Sequence, residues 1–359
     1  MPTARSRTRR RARFSWLTRR AARRAIALGA VALATLAGCG DAGPQRPQPG
    51  ALEPFGDVDA FLTARGITGS TEDLAFTPDG ERLVMGVPGG LIALDPQGEA
   101  SSLPLTGDPL LNPLGVAYDR AGNLWVADSA GSALRRVLPS GEVTTPLTTD
   151  GEQPLVAPNY VAIDREDRVL LSDPCLGELI RFDPVTGRVD AVLRFDVADE
   201  GGPNGFAFAP DGRLWIATEN TALFCGHSFV GLTDPVASLL VVDVDDEGFG
   251  TPETVVADFA LFGDGVAFDA AGNLYVIFDT EVNFTLEESA IWFLPPGGAV
   301  LEKLVGVSDR VLANLAFGSR PFGDQTLYVS LLAVPPFTSP NARGAERIEV
   351  GIRGLPLLP

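Results

Sequence analysis

The feature that most constrains this chain is a unit that recurs six times at nearly constant spacing. TEDLAFTPDGERLVMG from Thr71, LGVAYDRAGNLWVADS from Leu114, NYVAIDREDRVLLSDP from Asn159, NGFAFAPDGRLWIATE from Asn204 and DGVAFDAAGNLYVIFD from Asp264 are five versions of it, and ANLAFGSRPFGDQTLYVS from Ala313 is a looser sixth. Each unit is an alternating apolar segment, a tight turn and a second alternating segment, which is the pattern of a β-hairpin. Two weaker alternating segments usually follow, such as ALRRVLP and EVTTPLTT, giving four strands per unit. The anchor positions 72, 114, 159, 204, 264 and 313 are 42, 45, 45, 60 and 49 residues apart, the period of a propeller blade.

A sandwich or jelly roll also uses many short strands, but neither predicts one hairpin repeated at this period. The expected fold is therefore all-β, a six-bladed β-propeller with four-stranded antiparallel blades. The 60-residue step is explained by an insertion between the second and third strands of blade four, running through Cys225 to Pro235. Blade six lacks a fourth strand after ERIEVGI, whereas Val58–Leu62 (VDAFL) is similar to Val189–Leu193 (VDAVL), the outer strand of blade three. The N-terminal strand is thus expected to complete the last blade and protect the open edges of the ring.

Three segments are expected along the chain. Residues 1–38 carry ten Arg and no acidic side chain, and an apolar run from Ala25 to Leu36 follows the basic stretch. That is a secretory signal too short to span a membrane comfortably. The run ends in Leu36-Ala37-Gly38-Cys39, which resembles the lipobox of bacterial lipoproteins, where Cys39 would be lipidated and become the new N-terminus. Ordinary cleavage nearby, with Cys39 incidental, is the alternative. Residues 39–55, rich in Pro, Gly and Gln, read as a flexible tether, and residues 56–359 as the propeller. The expectation is a monomeric, exported lipoprotein of the cell envelope, on the periplasmic face or outer membrane, touching lipid only through Cys39. Removing the ten signal Arg from the 28 basic side chains leaves 18 against 46 acidic, a net −28. Such a body is excluded from binding nucleic acid and suits a cation.

Each anchor residue opens the innermost strand of its blade, so the six form a ring around one end of the central channel: Glu72, Leu114, Asn159, Asn204, Asp264 and Ala313. Two carboxylates and two amides crowded around one axis are costly unless a cation neutralises them. An all-oxygen set without Cys or His favours a hard divalent ion, Ca²⁺ first, with Mg²⁺, Mn²⁺ or Zn²⁺ as alternatives. The plain alternative is that Asn and Asp merely cap turns before strands.

Here the chain resembles the SMP-30/gluconolactonase/luciferin-regenerating-enzyme-like family of six-bladed propellers. The order Glu72, Asn159, Asn204, Asp264 reproduces that family's metal ligands, and GPNGFAFAPDGRLW and FGDGVAFDAAGNLYV look most like it. The resemblance implies a metal-dependent hydrolase of lactones or related esters, with Asp264 both ligand and candidate base. Sugar-lactone hydrolases of the family tend to carry Arg two residues before the first Asn and Asp directly after it, where this chain has Ala157 and Tyr160. A more apolar lactone or ester suits Tyr160, Leu114 and Phe262 better. The rival from another class is a non-catalytic ligand- or protein-binding propeller with a structural metal.

His227, the only His, lies on the blade-four insertion, either at the rim of the site as a substrate contact or as a plain loop residue. No Ser sits in a G-x-S-x-G elbow, so a Ser-His-Asp triad is not expected. Cys175 and Cys225 follow the second strands of blades three and four on the face that carries the proposed metal. They are either a disulfide, in an oxidising compartment, or free thiols. Asp128, Asp173, Glu219 and Asp279 point toward the same face, as solvated loop carboxylates or holders of a second ion. Nothing suggests an organic cofactor.

Overall fold

The computed structural model divides the chain into Met1–Gly43 and Pro44–Pro359, and describes residues 45–225, 235–282, 285–333 and 343–355. The segment read as a secretory signal, Cys39 and His227 lie outside the described residues. The second unit is almost entirely β, in a propeller-like arrangement of antiparallel meanders whose second strands are buried throughout in the first three repeats.

Four sheets stand separately. The first contains Leu74–Phe76, Leu83–Val87, Gly90–Leu94 and Ala100–Ser102. The second contains Pro113–Tyr118, Leu124–Asp128, Ala133–Val137 and Glu142–Leu147, with the short Thr106–Gly107 added in parallel at its outer edge. The third runs Val161–Ile163, Val169–Asp173, Glu178–Asp183, Arg188–Arg194. The last combines Val311–Phe317, Thr326–Leu332 and Gly344–Glu349 with the N-terminal Glu53–Phe55. The remaining large sheet has eight strands. Its two meanders, Gly202–Phe208 to Glu253–Ala260 and Phe262–Phe268 to Glu302–Val307, are joined by a single pair, Glu219↔Phe262. Where the repeat predicts two separate blades, the fourth and fifth units are thus fused at one point, between the second strand of the fourth and the inner strand of the fifth.

The chain closes through a different segment from the one its sequence predicts. Val58–Thr63 is a helix, not a strand. Val58, Phe61 and Leu62 recur at i, i+3, i+4, the Asp57 side chain caps the Ala60 N–H, and Val58 and Leu62 are buried. Local capping and a helical stripe win over the alternation of Val58, Ala60 and Leu62. The closing strand is Glu53–Phe55, antiparallel to Gly344–Glu349 with Phe55 opposite Ala345. Phe55 packs edge-on against Tyr328 at 5.0 Å and Phe322 at 5.9 Å, while the Gln48 and Gly50 N–H groups donate to the Val350 and Glu349 carbonyls. Backbone pairing therefore begins inside the stretch read as a tether. Thr71 adds a second stitch: its hydroxyl donates to the Leu331 carbonyl and accepts from the Gly344 N–H.

The inner strands share one irregularity that aims the site. Register shifts fall between Pro113 and Val116, Pro203 and Phe206, Gly263 and Val266, and Leu312 and Leu315. Leu114, Asn204, Asp264 and Ala313 each sit in the resulting bulge, the device by which a strand re-aims a side chain. The next residue is Gly at 115, 205 and 265 because the neighbouring inner strand passes there. A Cβ on Gly115 would meet the Asn159 carbonyl at 2.5 Å, and one on Gly205 the Asp264 carbonyl at 2.5 Å.

Candidate metal centre

Glu72, Asn159, Asn204 and Asp264 are all buried, and the structure brings them together from four blades. Asn159 donates its amide N–H to Glu72 Oε1 at 3.0 Å, across two blades, and Asn204 donates to Glu219 Oε2 at 3.2 Å. Those bonds fix which end of each amide is spare. The oxygen atoms Asn159 Oδ1, Asn204 Oδ1 and Asp264 Oδ1 are buried and accept no hydrogen bond. Buried unpaired oxygens cost of order 1–3 kcal/mol each, and three drawn from the four anchor positions leave a cluster of lone pairs with no donor to meet them.

Electrostatics concentrates at the same place. Burial pushes the Glu72 carboxyl up to about 7, held back by the Asn159 amide. Burial and the nearby Glu72 charge push Glu219 up to about 8. Asp264 lies well above the ordinary carboxylate range through burial, then repulsion from Glu72, Glu219, Asp279 and Asp73. Asp73 is pushed up to about 8 by burial, although it accepts from the Leu74 and Val116 N–H groups. A cation is the group that lets such carboxyls ionise together. Among the described residues no three His, Cys, Asp or Glu side chains gather as a metal-holding group by themselves. The two Asn oxygens are therefore what completes an oxygen set, and hard ions accept amide oxygens readily.

Glu219 is more than a charge at the mouth. It lies opposite Gly202 at the end of its strand, one residue beyond the place held by Asp128 and Asp173 in their blades, and this carries it to Asn204. Asp128 and Asp173 do other work. Asp128 accepts from the Leu111 and Asn112 N–H groups and pairs with Arg135 at 3.1 Å, and Asp173 accepts from Val156, Ala157 and Leu176. Each clamps the loop entering its own blade. Asp279 is buried and receives the Ser289 hydroxyl.

Tyr160 packs edge-on against Phe206, with ring centroids 5.0 Å apart, inside an apolar cluster of the third and fourth blades. Its phenol is raised well above its usual range by burial and by Asp73 and Asp264. Cys175 and Cys225 form a disulfide with Cα atoms 5.3 Å apart. Clefts of about 240 and 180 Å³ open elsewhere, between outer strands and hairpin turns such as Gly272 with Pro296 and Gly122 with Pro139.

The fold and this centre define a class: an all-β propeller whose inner ends gather buried, unpaired oxygens around one place. No family model matches the chain. It is 25% identical over 262 residues to a gluconolactonase of Zymomonas mobilis, a match spanning 67% of this chain and 66%, just under two thirds, of that protein. In fold it is similar to a luciferin-regenerating enzyme, with a TM-score of 0.60 at 12% identity, covering 87% of this chain and 99% of that one. It is also similar to a gluconolactonase from Xanthomonas campestris, with a TM-score of 0.54 at 15% identity, covering 85% and 95%. A virginiamycin B lyase from Staphylococcus aureus shares the architecture as well, with a TM-score of 0.54 at 11% identity over 79% and 81%. In fold the chain is thus similar to the gluconolactonase and luciferin-regenerating-enzyme propellers. The lyase shows that such a frame alone does not fix a reaction.

Proposed function

We propose that this chain is a six-bladed propeller, the eight-stranded sheet counting as two blades, that hydrolyses lactones or related esters using one divalent metal, Ca²⁺ first. The observation that carries this reading is the trio of buried, unpaired oxygens on Asn159, Asn204 and Asp264 beside the Glu72 carboxyl. Glu72, Asn159, Asn204 and Asp264 would hold the ion, and Glu219 would orient Asn204. A divalent ion at such a site supplies Lewis-acid polarisation of an ester carbonyl and acidification of water. Asp264, raised by burial and then by its carboxylate neighbours, is suited to take the proton of the attacking water. The water oxygen forms a bond to the acyl carbon, the ring C–O bond breaks, and the proton passes to the departing alkoxide, leaving a hydroxy acid.

The test is metal content and Ca²⁺ affinity of the wild-type protein beside Glu72→Gln/Asp264→Asn, followed by a pH-stat assay on five- and six-membered lactones. One tightly bound ion that the double variant loses, together with wild-type turnover, supports the reading. Folded wild-type protein that binds no ion at saturating metal sinks it, and leaves a ligand-binding propeller. We also propose anchorage at the cell envelope through lipid on Cys39, on the strength of the basic, apolar and Leu-Ala-Gly-Cys sequence before it. Cys39→Ser should then move the protein from the membrane fraction to the soluble one; unchanged fractionation refutes the anchor.

A further inference from the structure

Few large apolar side chains stand in water among the described residues: Leu111, Val156, Val185, Phe224 and Val300 are those exposed. Val185 and Val300 belong to peripheral turns beyond the third and outer strands. The other three share the face of the metal centre. Leu111 and Val156 each lie three residues before an anchor, Leu114 and Asn159, and Phe224 lies on the short helix Ala222–Cys225 that follows Glu219. Scattered exposed Leu or Val needs no explanation, whereas apolar groups gathered on one polar face do.

Each of the three is also held in place. The Leu111 N–H is bonded to the Asp128 carboxylate at 3.1 Å and the Val156 N–H to Asp173 at 2.7 Å. Phe224 is fixed from two sides. Its neighbour Cys225 is tied by the disulfide to Cys175 in the preceding blade, and its ring lies 5.5 Å from that of Phe262. Phe262 in turn is two residues before Asp264 and pairs with Glu219. An exposed aromatic that is anchored at its backbone presents apolar area with little entropy left to lose on binding.

We propose that Leu111, Val156 and the disulfide-held Phe224–Phe262 pair form an apolar rim that binds a hydrophobic substituent of the substrate, making the substrate an alkyl- or aryl-substituted lactone or ester. This rests on the hydrolase reading for the reacting end and on the rim alone for the substituent. The hydroxyl groups of a sugar lactone would lose water against this rim without gaining a hydrogen bond from it. A hydrocarbon chain is matched to it.

The test compares kcat/KM for a five-membered lactone bearing an alkyl chain with that for its unsubstituted parent, in wild type, Phe224→Ala and Phe224→Leu. Loss of a few methylene contacts is worth about tenfold or more in discrimination. The ratio should therefore fall about tenfold in Phe224→Ala and be largely restored in Phe224→Leu. Cys225→Ser should lower the ratio in the same direction. A ratio unmoved by these changes overturns the rim. So does vesicle binding to neutral phosphatidylcholine that depends on Phe224 while the ratio stays fixed, which would assign the face to a membrane surface. If wild type hydrolyses neither lactone, the hydrolase reading fails by itself. The rim is then read from calorimetry with the corresponding alkylated and parent lactams: tighter binding of the alkylated lactam that Phe224→Ala removes supports it, and equal binding overturns it.

Discussion

Asn204 has two chemically different ends, and the protein satisfies only one of them. Its N–H group is taken by Glu219, and its carbonyl oxygen is buried without a donor. If Asn204 holds the proposed ion, Glu219 acts on it at one remove, by setting the orientation of the amide, and changes of that kind typically lower metal affinity 10- to 100-fold. Glu219→Gln should therefore weaken Ca²⁺ binding by about that factor in calorimetry while the protein stays folded; an unchanged affinity would remove Glu219 from the site. Asp264→Asn tests a different point. It should abolish lactone turnover, and in metal-free protein it should leave the melting temperature unchanged or higher, because a buried, crowded carboxyl is gone. A large drop in metal-free stability would mean that Asp264 serves the fold. The four anchors were legible in the sequence because each opens the same strand of a repeat. Glu219 was visible only as a carboxylate near the right face, because its role depends on a strand running one residue beyond Asp128 and Asp173, which the repeat alone does not reveal. Tyr160 was read as a substrate contact from its place next to Asn159; which way its ring turns depends on Phe206 in the neighbouring blade, and packing partners across blades are not written in the repeat.

Strand and helix boundaries follow a different logic, since closure depends on a segment that belongs to no repeat. Glu53–Phe55 pairs with Gly344–Glu349, and Phe55 enters the cluster that joins the first and last blades with Leu74, Met85, Phe322 and Tyr328. Removing a buried Phe from such a cluster costs roughly 3–5 kcal/mol. Phe55→Ala should lower the stability of the whole domain by that amount in denaturant unfolding. Phe61→Ala, on the half-exposed side of the helix at Val58–Thr63, should cost clearly less. The reverse order would return closure to the later segment. VDAFL reads equally as alternation or as a helical stripe, and five residues are too few for periodicity to decide. The deciding facts are the Asp57 cap and the ion pair of Arg343 with Asp59 at 2.7 Å, and the latter joins residues far apart in sequence. Within the repeats, by contrast, hairpin turns fixed the strands closely. What the turns did not disclose was the bulge at four of the six anchors, and the bulge is what points Asn204 and Asp264 to their common place.

Taken as a whole molecule, the acidic balance of the chain becomes a statement about protons and metal. Glu72 near 7, Glu219 and Asp73 near 8, and Asp264, raised well above the usual carboxylate range, all have folded values above their ordinary ones of 4.5 or 3.8. A raised carboxyl favours folding fully below its unfolded value, and that contribution is lost as pH rises through the folded value. Without metal, stability should therefore fall steadily from about pH 5 to pH 8. Glu178, pushed up to about 7 by burial and by its neighbour Asp150 outside the centre, adds a smaller part of this slope that metal does not remove. With Ca²⁺ bound, the central carboxylates are held ionised, most of the slope should vanish, and stabilisation by the ion should grow with pH. The same linkage requires protons to leave when the ion arrives, because ligands bind in their deprotonated form. At pH 7 a half-protonated Glu72 and a largely protonated Glu219 by themselves give more than about one proton released per Ca²⁺. Calorimetric titrations in buffers of different ionisation enthalpy measure that number directly. A release near zero at pH 7, with binding intact, would mean that the ion sits away from these carboxylates, and the assignment of Glu72 and Asp264 as its ligands would fall.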